Sequence, residues 1–143
     1  MTITSKTPRI CAIDYGTSRI GIAKTDPLGL FPQPVGTFNQ ENALKVLADI
    51  DRTDGISMLV IGYPKSQDGS LNRMTTIVDR FCEELHKQFP HIPQTLLDEY
   101  GSSAKARTTL VASGLSRKKR AEKGRIDSAA ACIILQRHLE TNV

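Results

Sequence analysis

The stretch PRICAIDYGTSRIGIAKTD, residues 8–26, decides how the rest of the chain is laid out. Residues 8–16 read as a strand with apolar side chains on both faces, the pattern of a strand at the middle of a sheet. Gly16 sits in a turn, and residues 19–26 alternate, so a hairpin is expected. Asp14 stands at the end of the first strand. It has two uses there: it can cap its own turn through the amides of Gly16 and Thr17, or it can serve a site on the sheet rim.

Working outward, PQPVGTFN (32–39) reads as a third strand, held to a sheet edge by its two prolines. Asn39 can cap a helix through about residue 53, with Leu44, Leu47 and Ile50 facing the core. SMLVIGYP (57–64) is a short apolar strand ending at Gly62, and KSQDGSLN (65–72) is a polar loop. Met74, Ile77, Val78, Phe81, Leu85 and Phe89 recur at helical spacing. HIP (91–93) breaks that helix, and QTLLDE (94–99) is a further strand. A helix is expected from Ser102 or Ser103 to Ser113, stopped by Gly114. IDSAAACIILQRHLE (126–140) forms a last one. Antiparallel strands come first and crossovers later. That order predicts a single α/β domain over residues 1–143, with a mixed five-stranded sheet flanked by helices. In such sheets ligands bind beyond the carboxyl ends of the parallel strands.

Bulk properties narrow the function. The chain has 143 residues, enough for one full core. No apolar run approaches the roughly 20 residues that cross a bilayer, and MTITSKTPR lacks the apolar region of a secretory signal. Cys11, Cys82 and Cys132 form no CxxC pair, so buried free thiols in a reducing cytoplasm are expected. Charge is uneven. Residues 1–100 hold 10 Lys+Arg against 12 Asp+Glu, whereas residues 101–143 hold 9 against 3. The excess peaks in SRKKRAEKGR (116–125), where Arg117, Lys118, Lys119, Arg120, Lys123 and Arg125 suit a polyanion. A solvated loop is the plainer reading.

Three carboxylates converge in this scheme. Asp14 ends the first strand, and Asp98 and Glu99 end TLLDE on the same rim; Asp98 is the weaker candidate, since it can cap the next turn. Asp127 shares a helix stripe with Ala130, Ala131 and Ile134. There it either faces inward or simply complements the helix dipole. Acids gathered on one rim repel unless a cation joins them, and hard oxygen ligands select Mg²⁺ or Mn²⁺. Such a site can activate water against a phosphodiester. Arg19 and Lys65 stand beside it as phosphate contacts or as ordinary exposed residues. His86, His91 and His138 are isolated.

Asp-x-Gly-Thr-Ser after a strand also resembles the first phosphate loop of sugar kinases and actin-like ATPases. Those need two domains around a cleft, and this chain has room for one. DYGTSRIGIA, VIGYPKSQDGS, DEYGSS and GLSRKKRAEKGRIDSAAACIILQRHL, taken in order, resemble the YqgF (RuvX-like) family over residues 8–139. The resemblance implies a ribonuclease-H-like fold and an Mg²⁺- or Mn²⁺-dependent nuclease in the cytoplasm. It implies pre-16S rRNA processing, with structured RNA and ribosomal precursor particles as partners. The alternatives are resolution of DNA four-way junctions, and binding to RNA or the ribosome without cleavage. Monomer and homodimer both stay open. The family's metal-binding acids fall on Asp14, Glu99 and Asp127. The chain departs from the family at Tyr100 and Gly101, where the first residue after DE is usually arginine.

Overall fold

β1 (Arg9–Tyr15), β2 (Ile20–Thr25) and β3 (Pro32–Phe38) lead into α1 (Gln40–Thr53), β4 (Ile56–Tyr63), α2 (Arg73–Gln88), β5 (Gln94–Asp98) and α3 (Lys123–Thr141). This is a computed structural model. It describes residues 7–16, 18–98 and 123–141, with side chains of the last segment from residue 129. The strands form one sheet in the order β3-β2-β1-β4-β5. β1 pairs antiparallel with β2 and β2 antiparallel with β3, while β1–β4 and β4–β5 are parallel. β1 is central, as its two-sided apolar pattern requires, and proline-bearing β3 is at an edge.

Strand alternation splits the core in two. Cys11, Ile13, Ile20, Ile22, Leu59 and Ile61 face α1 and α2, where Leu47, Ile50, Val78, Phe81 and Leu85 cover them. Ala12, Ala23 and Val60 face α3 and meet Ala131, Ile134 and Leu135. The first face is filled by large side chains. The second pairs small residues of sheet and helix, so α3 can lie close across β1, β2 and β3. Each fully buried leucine or isoleucine contributes about 1.5–3 kcal/mol.

Two expectations need correction. β4 runs on to Tyr63, because Gly62 and Tyr63 stay in the ladder opposite Leu97 and Asp98. α1 is as expected, with Leu47 and Ile50 buried and Leu44 packed half-buried against the same core; Ala43 joins them. The last helix starts at Lys123 rather than at Ile126, so Arg125 stands on a helix and not in a loop. A glycine in the first turn, costing about 1 kcal/mol, hides that start from a pattern reading. The expected 102–113 helix and residues 116–122 of the basic segment lie outside the described residues.

All three cysteines are free; Cys11 is buried, and Cys82 and Cys132 are half-buried, less covered than expected. Burial pushes the Cys11 thiol up to about 12. Burial likewise pushes Cys82 and Cys132 up to about 11. They remain protonated at neutral pH and serve as small apolar groups.

Candidate active site

Asp14 is the last residue but one of β1, and it is only 9% exposed. Ile10 and Ala12, in phase with it, pack beneath α3. Asp14 therefore belongs to the α3 face. Tyr15 turns to the other face and packs on Phe81, with ring centroids 4.7 Å apart. On β2 the residue opposite Asp14 is Gly21. On β4, Ile13 pairs with Ile61, so Gly62 follows beside Asp14. Neither neighbouring strand position carries a side chain, so the buried carboxylate stands between two glycines of the sheet.

The turn after β1 is held tightly. The Gly16 amide donates to the Arg19 carbonyl at 2.9 Å. A Cβ on Gly16 would lie 2.7 Å from that same carbonyl oxygen, so only glycine fits without a shift. The bond also engages one of the two amides through which Asp14 was expected to cap its own turn. Arg19 is exposed at the far side of the turn.

β1, β4 and β5 run parallel, so their carboxyl ends share one rim, and β2 starts there. That rim carries Asp14, Arg19, Lys65 and Asp98. Lys65 follows β4 in a loop fastened by Asn72. The Asn72 amide donates to the Pro64 carbonyl at 2.8 Å and to Ser66 Oγ at 3.0 Å. Its Oδ1 accepts from the Thr75 amide at 3.0 Å, closing a capping box on α2. The Lys65 amide donates to the Tyr63 carbonyl at 2.9 Å. Sequence reading missed Asn72, although Asn-x-x-Thr before an apolar helical run is a start signal of the capping-box kind.

Asp98 pairs opposite Tyr63 and is exposed. Its strand neighbour Leu97 packs into the cluster beneath α3. Asp98 is thereby out of phase with Asp14. Asp127 and Arg125 are described in backbone only, both on α3. Ala130, Ala131 and Ile134, three, four and seven residues beyond Asp127, are all fully buried. These three residues form an inward stripe of α3. Glu99, Arg117, Lys118, Lys119 and Arg120 lie outside the described residues. Among the described residues no three His, Cys, Asp or Glu side chains gather closely enough to hold a metal. Asp14 is the one member of the expected trio whose side chain is described. Its carboxylate oxygens are hard donors, the kind that suit a hard cation.

The histidines lie elsewhere in the fold. His91 meets Asp51 at 2.8 Å. His86 is exposed near the end of α2. His138 is buried in the last turn of α3, where burial lowers its pKa.

A family model described as "RuvX: Holliday junction resolvase" matches residues 8–141. The chain belongs to the RuvX family. Among its relatives is a protein of Prosthecochloris aestuarii named "Putative pre-16S rRNA nuclease", 58% identical over 132 residues, which span 92% of this chain and 93% of that one. A protein of the same name from Chlorobaculum tepidum is 50% identical over 139 residues, 97% of this chain and 98% of that one. Among solved structures, T. thermophilus RuvC in complex with a Holliday junction substrate superposes with a TM-score of 0.50 at 9% identity, covering 94% and 97% of the two chains. At that identity the likeness speaks for the fold: the sheet of this RuvX-family chain is ribonuclease-H-like. No helix among the described residues is long and apolar enough to cross a membrane.

Proposed function

We propose that this RuvX-family chain is a metal-dependent phosphodiester hydrolase that processes pre-16S rRNA in the cytoplasm, with the whole chain as one catalytic domain. The observation that carries the proposal is Asp14: a buried carboxylate at the carboxyl rim of the central strand, with glycines at both flanking strand positions. The close relatives, named for pre-16S rRNA, supply the substrate.

Asp14, Glu99 and Asp127 are the residues proposed to hold Mg²⁺ or Mn²⁺. The phase of β5 supports Glu99 over Asp98, because alternate positions share a face and Leu97 packs on the α3 side. The inward stripe of α3 supports Asp127. When bound, such ions activate water and stabilise the leaving oxygen of a phosphodiester. The protein's own part is to exclude side chains from around Asp14 and to aim cations at the substrate backbone. Arg19 and Lys65 flank the rim. Arg117, Lys118, Lys119, Arg120 and Arg125 are proposed to neutralise phosphates farther along, whether the substrate arrives free or in a ribosomal precursor particle. Tyr100 and Gly101 leave the arginine position of the family unfilled, and Arg19, Arg107 or the basic segment is proposed to substitute.

The family's description favours a second reading, cleavage of DNA four-way junctions. A resolvase cuts two strands symmetrically and therefore needs a two-fold dimer. The test is incubation of purified protein and Mg²⁺ with precursor 16S rRNA beside a four-way DNA junction, with Asp14→Asn as control. Cleavage of the RNA alone, abolished in the variant, supports the proposal. Cleavage of the junction alone by a dimer supports the second reading. Equal cutting by parent and variant sinks both.

A further inference from the structure

The loop after β4 is a built element rather than a slack connection. Asn72 ties its two ends together through Pro64 and Ser66. Within it, the Ser66 amide donates to the Ser70 carbonyl at 3.0 Å, and the Gly69 amide to the Ser66 carbonyl at 2.8 Å. Gly69 has a φ of 84°, a conformation that favours glycine. Asp68, the loop's one carboxylate, accepts from the Ser70 amide at 2.9 Å, and bonds from Ser70 hold its pKa below the ordinary value. What this frame presents is Lys65, half-buried, with Leu71 and Arg73 exposed. Leu71 is 66% exposed. It precedes the N-cap of α2, where an apolar residue often packs on the fourth helical position. That position is Thr76, polar and exposed, so the helix gives Leu71 no such partner. Among the described residues, Leu28, Leu30 and Phe31 are also exposed, but they lie past the end of β2, at the opposite end of the sheet, and Leu96 lies within β5. Leu71 is the one that stands in a loop of the rim.

We propose that Leu71 is a wedge: it enters the base stack of the nucleic acid that Asp14 acts on, at the boundary between paired and unpaired nucleotides, while Lys65 and Arg73 hold phosphates nearby. The ligand rests on the reading given above; the preformed loop does not. β4 pairs directly with β1, and Gly62 lies beside Asp14, so the loop leaves the sheet next to the strand that carries the carboxylate. α2 covers the face opposite to α3, so Leu71 and Asp14 reach the rim from its two sides. Packed layers lie roughly 10 Å apart and a major groove alone is about 12 Å wide, so one duplex lying across the rim meets both. Nucleic acid suits this loop better than protein, because the leucine stands between two cations in the chain and the one carboxylate is already engaged. Apolar side chains enter base steps, and a step opens at least cost where pairing is already interrupted. Leu71 is then a specificity-determining residue, and Lys65 and Arg73 position the strand.

The probe is a hairpin stem with a single-stranded tail, in RNA and DNA versions, titrated in metal-free buffer. It carries 2-aminopurine, a base that brightens when it loses its stacking neighbour, either at the stem–tail boundary or in mid-stem. Binding of the parent should brighten the boundary probe and leave the mid-stem probe unchanged. Leu71→Ser and Leu71→Ala, changes at an exposed position with folding checked by melting temperature, should bind without the brightening. Leu71→Met, still apolar and long, should keep it. Arg73→Gln should keep it too, while lowering the log–log salt slope of binding by roughly 0.7–0.9 for the phosphate no longer neutralised. Brightening in only one of the two nucleic acids names the source of the base step. A parent that brightens neither boundary probe, or a serine variant that brightens them as the parent does, overturns the proposal. A parent that brightens the probe yet cuts nothing with Mg²⁺ keeps the wedge and defeats the nuclease reading; one that cuts without brightening defeats the wedge alone.

Discussion

At the scale of single residues, the glycines beside Asp14 belong to the claim as much as the acid does. Gly21 stands opposite it. Gly21→Val suits a strand intrinsically but sets a branched side chain beside the carboxylate. We expect the folded variant, checked by its melting temperature, to lose at least tenfold in Mg²⁺-dependent cleavage; unchanged cleavage would show that glycine is not needed at this position. If Asp14 holds the proposed ion, Asp14→Asn should reduce cleavage a hundredfold or more, since removing a metal ligand takes away several kcal/mol of transition-state stabilisation. Nucleic-acid affinity should hold or rise, because a negative charge leaves the site. Asp14 was legible in the sequence because a carboxylate ending an apolar strand is conspicuous. Its two glycine neighbours were not, since they depend on which strand pairs beside it and in what register.

At the scale of elements, the strands and helices followed from periodicity wherever apolar spacing was strong. Boundaries failed where tertiary pairing overrode local signals, as at Tyr63, kept in the sheet by Asp98. The loop after β4 read only as polar, yet Asn72 ties it to the start of α2 through bonds to Pro64, Ser66 and Thr75. Asn72→Ala should cost about 1–2 kcal/mol by loss of the cap, read as a lowered melting temperature. Lys65 should lose its position with it. The effects of Asn72→Ala and Lys65→Ala on nucleic-acid affinity should therefore overlap in the double variant; full additivity would show that the two residues act independently. In α3, His138 is buried and its pKa is lowered from 6.5 by burial. Below about pH 6.5 the unfolded chain takes up that proton first, so stability falls as pH drops. His138→Gln should melt with a flatter slope between pH 7 and 5 than the parent; identical slopes would remove His138 as a source.

At the scale of the whole molecule, charge and topology point the same way. One sheet rim gathers Asp14, Arg19 and Lys65, and the basic excess of residues 101–143 follows in the chain. If Lys118, Lys119 and Arg120 meet phosphates, replacing all three by alanine should lower the log–log salt slope of binding by roughly 0.7–0.9 for each phosphate no longer neutralised. An unchanged slope would make the segment a solvated surface. The central claim, that Asp14, Glu99 and Asp127 form one metal site, is tested most directly by melting the protein with and without Mg²⁺. Acids gathered in one site would repel, and an ion that binds only the folded chain stabilises it by about 1.4 kcal/mol at ten times its dissociation constant. The parent should melt roughly 3–8 °C higher with Mg²⁺, beyond any change from NaCl of matched ionic strength. Asp127→Asn should melt above the parent without metal and gain less from Mg²⁺. Equal gains in parent and variant would contradict a shared site.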